Sequence, residues 1–238
     1  GSTDTHTALS SSEENNFHGK LATDSIPENK DRRWDVSKKG THGWAMSASG
    51  LAAVWAQENT RESILAAMKR REVYGTTGPR IGVQFYGGTD FVEGDITGAD
   101  LHQRATARGV PMGGELRHST ESPTFIVVAS KDPVGANLDR VQIVKGWLDS
   151  LGQEQEKVFN VAWAGDRELD LEGALAAVGN SVDLTTGEVD NSIGAAQLSV
   201  VWQDPQFTAT EAAFYYARVL QIPTARHSLL DALALGNA

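Results

Sequence analysis

The residues best suited to chemistry are Asp4 and His6, which stand two positions apart in the sequence. In an extended segment, side chains at positions i and i+2 point to the same side of the chain, so both could face one metal ion. A carboxylate with an imidazole suits Zn, Mn or Fe. Such a metal lowers the pKa of bound water and polarises a phosphoryl or acyl oxygen. By itself the pair is a weak signal, because catalytic metal sites usually take three or more protein ligands.

Other reactive side chains form no recognisable pattern. There is no cysteine, so thiolate chemistry and disulfides are excluded. Gly113-Gly114 lacks the Lys-Ser/Thr that follows a phosphate-binding loop, and Ser10-Ser11-Ser12 lacks the glycines of a nucleophile elbow. The remaining histidines are dispersed without metal-ligand spacing, and we interpret them as surface or internally hydrogen-bonded residues: His18, His42, His102, His118 and His227.

Composition limits the classes of partner. The formal net charge of -10 argues against non-specific nucleic-acid binding and against docking on an anionic membrane. No apolar run approaches the roughly 18 residues that a membrane span needs. The composition leaves both a periplasmic or secreted location and a cytoplasmic one open. The length of 238 residues allows one large domain or two small ones.

The first part of the chain is predicted to be irregular, with one clear helix after it. Residues 1–47 are polar, and either form a disordered arm or an ordered loop held by its aromatic residues; the spacing of Phe17, Trp34 and Trp44 favours the loop. The run 50–55 is either a strand or a buried helical turn. Thr60 then provides an N-cap for a helix, and basic residues at 69–71 suit its last turn.

The second part is predicted to be mainly β. Alternating residues at 81–86 predict a strand, and 87–122 is interpreted as mostly loop with a tight turn at 109–114. Further strands are predicted around 124–130, 141–145, 158–163, 197–202 and 214–222, with 169–178 as a short helix or loop and weak helix at 228–238. The pattern predicts an α+β protein whose β part resembles an antiparallel sandwich.

Several longer segments together resemble one family. They begin with GSTDTHT and EENNF, and continue with GLAAVWAQENTRE, KRREVYGTTGPRI, GVPMGGEL, LDRVQIVKGWLD and FYYARVLQIPT, at 1–7, 13–17, 50–62, 69–81, 109–116, 138–149 and 214–224. They resemble the C-terminal part of the bacterial domain-of-unknown-function family 3604. That family is similar to the polymerase-and-histidinol-phosphatase (PHP) metallohydrolases.

The resemblance implies a role for the first two candidates. PHP enzymes hold two or three metals at the mouth of a β/α barrel, with a His-x-His early in the chain and an Asp-x-His late in it. Asp4 and His6 match the late motif, and no segment matches the early one. The expected organisation is therefore 1–80 as a piece that completes a PHP-like barrel and 81–238 as a sandwich-like domain. An N-terminal polypeptide of the same protein is expected to carry the other metal ligands.

The leading functional hypothesis is that the chain forms part of a metal-dependent hydrolase that acts on a small phosphoester. Asp4 and His6 would hold Zn, Mn or Fe, and Asn16, Thr77 and Arg80 would contact substrate. The guanidinium of Arg80 suits an anionic oxygen, although a structural ion pair is the other interpretation. The alternative function is a non-catalytic module that caps a separate barrel chain or recognises a polymer.

Overall fold

The computed structural model describes residues 6, 13–19, 21–31, 44, 46–48, 50–117 and 120–236. Their helices and strands are, in chain order, α1 (Pro27–Asp31), β1 (Leu51–Val54), α2 (Arg61–Lys69), β2 (Val73–Thr76), β3 (Gly82–Gly88), α3 (Leu101–Arg108), β4 (Val110–Pro111), β5 (Thr124–Ser130), β6 (Leu138–Leu148), β7 (Glu154–Trp163), β8 (Gln197–Gln203), β9 (Ala213–Gln221) and α4 (His227–Ala234). No helix among these residues is both long enough and apolar enough to cross a membrane.

The predicted helix after Thr60 is α2. The Thr60 hydroxyl accepts a hydrogen bond from the Ser63 amide at 3.3 Å, so it satisfies one of the unpaired amides of the first turn. The run at 50–55 forms a strand, and β1 pairs antiparallel with β2 so that Leu51 lies opposite Thr76. The helix thus connects the two strands of a small sheet.

Two larger antiparallel sheets follow, with strand orders β4-β3-β5-β8 and β7-β6-β9. Buried side chains from both sheets form one hydrophobic cluster, made of Ile81, Val83, Phe125, Val127, Ala129, Leu138, Val141, Ile143 and Leu198. The α+β class and the antiparallel sheets are therefore confirmed. The described residues close no barrel, and both the completion of a PHP-like barrel by 1–80 and the division at residue 80 stay predictions.

The interpretation of 87–122 as mostly loop is wrong in part. It contains α3 and a 3-10 turn at Glu93–Ile96, while β4 lies inside the predicted turn at 109–114. Within α3 only Leu101 and Ala105 are buried, where they pack with Tyr86 and Ile126 on the outer face of the four-stranded sheet. Two apolar residues one turn apart are too short a stripe to indicate a helix.

The strands predicted after residue 123 are confirmed, and β6 and β7 extend beyond the predicted runs. The charged start of β7 hid its extension, because Glu154, Glu156 and Lys157 lie on the exposed part of that strand. The segment 169–178 is a loop closed by a bridge between Leu169 and Leu175.

A buried ion pair joins the two large sheets. The Lys145 ammonium on β6 lies 2.7 Å from the Asp204 carboxylate, which directly follows β8, and also donates to the Gln206 carbonyl at 2.7 Å. The side chains of Lys145 and Asp204 are 2% and 0% exposed, so water cannot replace either partner. The Tyr215 hydroxyl on β9 donates to the same carboxylate, and burial together with Asp204 raises the pKa of Tyr215.

Removing one partner of this pair should destabilise the fold strongly. We expect Asp204→Ala to lower the free energy of unfolding by about 3–5 kcal/mol, because it leaves a buried ammonium without its counter-ion. The double variant Lys145→Met/Asp204→Leu should lose clearly less. Urea unfolding measures both, with the exposed Asp166→Ala as control, expected within about 0.5 kcal/mol of the parent. An Asp204→Ala loss no larger than the control would contradict the assignment.

A second carboxylate holds α3 against the sheet. Asp95 accepts hydrogen bonds from the Val92 amide at 2.9 Å and from the Arg108 guanidinium at 2.8 Å. The Val92 hydrogen bond lowers the pKa of Asp95, and the pairing with Arg108 lowers it further against the opposing effect of desolvation. A group whose pKa is lower in the folded state stabilises the fold above its unfolded pKa, and this contribution is lost as pH falls through the folded pKa.

The stability difference between the parent and Asp95→Asn should therefore depend on pH. We expect the parent to melt at a higher temperature at pH 7, and the difference to shrink once the pH falls below the ordinary aspartate value of 3.8. Thermal unfolding followed by circular dichroism from pH 2.5 to 7 measures this. A difference that is constant over the range would show that the Asp95 charge contributes nothing.

Candidate functional site

The predicted site residues that the structure describes are all exposed. Asp4 lies outside the described residues, and His6 is exposed. Asn16 is the exposed last residue of a 3-10 turn at Glu14–Asn16. Thr77 and Arg80 are exposed in the turn that connects β2 to β3.

The turn from β2 to β3 is held from both sides. The Tyr74 hydroxyl on β2 donates to the Ile81 carbonyl at 2.9 Å and accepts from the Val83 amide at 3.3 Å. Burial raises the pKa of Tyr74, and the Val83 hydrogen bond opposes that shift. On the other side, the Arg80 amide donates to the buried Asp132 carboxylate at 2.7 Å. The backbone that presents Thr77 and Arg80 is thus fixed.

Arg80 also connects this turn to the N-terminal loop. Its guanidinium lies 3.1 Å from the Glu13 carboxylate, with the two side chains 60% and 43% exposed. The structure therefore brings the two segments that the sequence analysis singled out into contact. It also shows the ion pair that was the other interpretation of Arg80. At this exposure the pair contributes at most about 1 kcal/mol, so Arg80 stays available to an anion.

The same loop is anchored to the C-terminal helix. The Phe17 ring stacks on the His227 ring with centroids 3.7 Å apart and planes 7° from parallel. Glu14 accepts a hydrogen bond from the His227 amide at 2.7 Å, which places a carboxylate at the start of α4 where the helix dipole favours it. His227 Nε2 lies 2.6 Å from the Met46 carbonyl. These contacts order the described part of the loop.

Comparison with known protein families gives one match. The model of a family described as a protein of unknown function, DUF3604, matches residues 1–238. The chain belongs to the DUF3604 family. No curated protein and no solved structure matches it. Since the DUF3604 description gives no activity, the similarity to PHP enzymes stays a prediction.

The donor types of the Asp-x-His pair fit a divalent metal, but the described part of this DUF3604 chain provides no complete site. Within that part, no group of three or more His, Cys, Asp or Glu residues could hold a metal ion. In the described loop, the carboxylates nearest in sequence to the pair are those of Glu13 and Glu14. Glu13 accepts a hydrogen bond from the Arg80 guanidinium, and Glu14 accepts one from the His227 amide. A catalytic metal at Asp4 and His6 would need ligands from outside these residues.

Sequence reasoning missed the residues that position the loop. Of the two interpretations of His227, surface or internally hydrogen-bonded, the structure shows the second, because the residue is fully buried and its Nε2 lies 2.6 Å from the Met46 carbonyl; its stacking on Phe17 was not predicted. The prediction that Phe17 holds an ordered loop identified one of the two rings in this contact. Nothing in the local sequence links Glu14 to His227, because they are 213 positions apart.

Loss of the Phe17 ring should release the loop without unfolding the sheets. Burying a phenylalanine side chain contributes about 1.5–3 kcal/mol, so we expect Phe17→Ala to speed amide exchange in 13–19 by about tenfold or more. Exchange in β6 should not change. Hydrogen–deuterium exchange with mass spectrometry measures both segments. Phe214→Ala removes a phenylalanine that is 62% exposed and is the matched control. Equal exchange in 13–19 for both variants would contradict the anchor.

Proposed function

We propose that this DUF3604 chain is part of a metal-dependent hydrolase that acts on small phosphoesters, with Asp4 and His6 as two of its metal ligands. The observation that carries the proposal is the ion pair between Arg80 and Glu13. Glu13 follows His6 by seven residues, a segment that spans at most about 25 Å. A segment of this length allows the predicted metal pair to come close to the Arg80 guanidinium, which supports the proposal.

The exposed groups on these segments are hydrogen-bond donors suited to the oxygens of a phosphoester. Arg80 uses one guanidinium nitrogen on Glu13, and its other donors can bind phosphoryl oxygens bidentately. The Thr77 hydroxyl and the Asn16 amide are exposed on the same two segments and can donate to further oxygens. Because Tyr74 and Asp132 fix the turn, the backbone of Arg80 is already ordered before an anion binds.

The metal would be Zn, Mn or Fe, given a carboxylate and an imidazole as ligands. When bound, it would supply a hydroxide nucleophile at neutral pH and stabilise charge on the phosphoryl group. Two protein ligands are fewer than catalytic metals usually take. We therefore propose that another polypeptide segment of the same protein supplies the rest, and that Asp4 and His6 complete the set.

Changing either proposed ligand should remove metal and activity together. In the assembled protein we expect Asp4→Asn and His6→Gln to reduce hydrolysis of bis(p-nitrophenyl) phosphate by more than about 100-fold, since even groups that only support a metal ligand change affinity by about 10–100-fold. Metal content measured by inductively coupled plasma mass spectrometry should fall in parallel. Arg80→Gln should raise KM while leaving metal content unchanged.

The matched control is Asp166→Asn, at an exposed aspartate in the loop after β7. It should keep both the metal content and the hydrolysis rate of the parent. Unchanged metal content and rate in Asp4→Asn and His6→Gln would refute the metal-ligand role. That result would favour the alternative, a non-catalytic module that caps a separate chain.

A further inference from the structure

A cavity of about 520 Å³ lies on the outer face of the four-stranded sheet, away from Arg80. Its floor is β3, one wall is the end of β1 with the C-terminal end of α2, and the opposite wall is α3. The volume falls within the range of about 300–1,000 Å³ typical of small-molecule sites. The side chains that define its chemistry are Trp55, Arg70, Glu72, Gln84, Tyr86 and His102.

The floor carries polar groups on an otherwise apolar sheet face. Side chains alternate along β3, so Val83 and Phe85 pack into the core between the sheets while Gln84 and Tyr86 face the cavity. Gln84 is only half-buried, and within the described part of the chain its amide has no hydrogen-bond partner. An amide carries donors and an acceptor in one plane, so Gln84 can both donate to and accept from a single ligand.

The walls of the cavity carry the aromatic ring of Trp55 and hydrogen-bonding groups that their contacts hold in position. The Trp55 indole donates to the Val83 carbonyl at 2.7 Å, so the ring is oriented while 42% of the residue stays exposed. Arg70 lies 2.6 Å from Glu72. On α3, His102 Nδ1 is 3.1 Å from the Tyr86 hydroxyl. Burial and the nearby Glu72 raise the pKa of Tyr86, so its hydroxyl stays protonated at neutral pH.

The charges in this cavity cancel. Arg70 is the guanidinium at its wall, and the Glu72 carboxylate neutralises it through two nitrogen–oxygen contacts. An anionic ligand would therefore meet as much repulsion as attraction, and an apolar ligand would leave the Gln84 amide unsatisfied. The ligand best matched to the site is uncharged, rich in groups that both donate and accept, and apolar on one face.

We propose that this cavity binds a neutral saccharide of disaccharide size. Vicinal hydroxyls would pair with the planar Gln84 amide and with the donor–acceptor edges of the Arg70–Glu72 pair. The C–H face of a pyranose ring would stack on Trp55, whose exposed ring offers a large rigid surface. This site shares no residue with the proposed metal pair, so the test of saccharide binding is independent of the hydrolase proposal.

Isothermal titration calorimetry on the whole 238-residue chain tests this with cellobiose, maltose and lactose as probes. Glucose 6-phosphate and adenosine serve as the charged and the aromatic comparison ligands. Gln84→Met keeps the length of the side chain and removes its hydrogen bonds. Gln103→Met makes the same change at an exposed position of α3 that does not line the cavity. Thermal melts verify that each variant is folded.

We expect at least one disaccharide to bind saturably, and Gln84→Met to weaken that binding about tenfold through the loss of two hydrogen bonds. Gln103→Met should bind like the parent. Trp55→Leu, which removes the stacking surface, should weaken binding by at least as much as Gln84→Met. Absence of binding by every disaccharide, equal affinity of the two methionine variants, or tighter binding of glucose 6-phosphate or adenosine would each overturn the proposal.

Discussion

The buried Lys145–Asp204 pair is the interaction on which the rest of the structure depends. An ammonium inside the core is tolerated because the Asp204 carboxylate and the Gln206 carbonyl both accept hydrogen bonds from it. Asp204 is bonded on its backbone as well, since its carbonyl accepts from Ser122 and its amide donates to the carbonyl of Pro123, immediately before β5. One residue therefore connects β6 to the ends of β8 and β5, and so connects the two sheets.

Strand β3 connects this constraint to both proposed sites. Arg80 precedes the strand by two residues and faces the N-terminal loop, while Gln84 and Tyr86 form the floor of the cavity. A register shift of one residue would turn Gln84 and Tyr86 into the core and expose Val83 at the cavity. Pairing of β3 with the buried strand β5 along its whole length prevents this shift. The same strand thus adjoins both proposed sites, one beside the exposed Arg80 and the other at the cavity.

The sequence predicted those parts of the fold whose signals are local. Alternating isoleucine, valine and phenylalanine indicated β3, a continuous apolar run rich in valine and isoleucine indicated β5, and Thr60 marked the start of α2. The contact of Glu14 with His227 and the cavity wall at His102 could not be predicted, because their partners are distant in the sequence and carry no pattern of their own. At the candidate site, Arg80 was identified by its charge and its turn, but its partner Glu13 was visible only in three dimensions.

The central claim is that Asp4 and His6 hold a metal within reach of Arg80. Anomalous diffraction from crystals of the assembled protein grown with Zn²⁺ tests it most directly. The account predicts a peak at about 2.0–2.2 Å from an Asp4 carboxylate oxygen and from a His6 ring nitrogen, with further ligands from other polypeptide. A well-ordered Asp4–His6 segment with no peak beside it, or a peak bound only by other residues, would contradict the account.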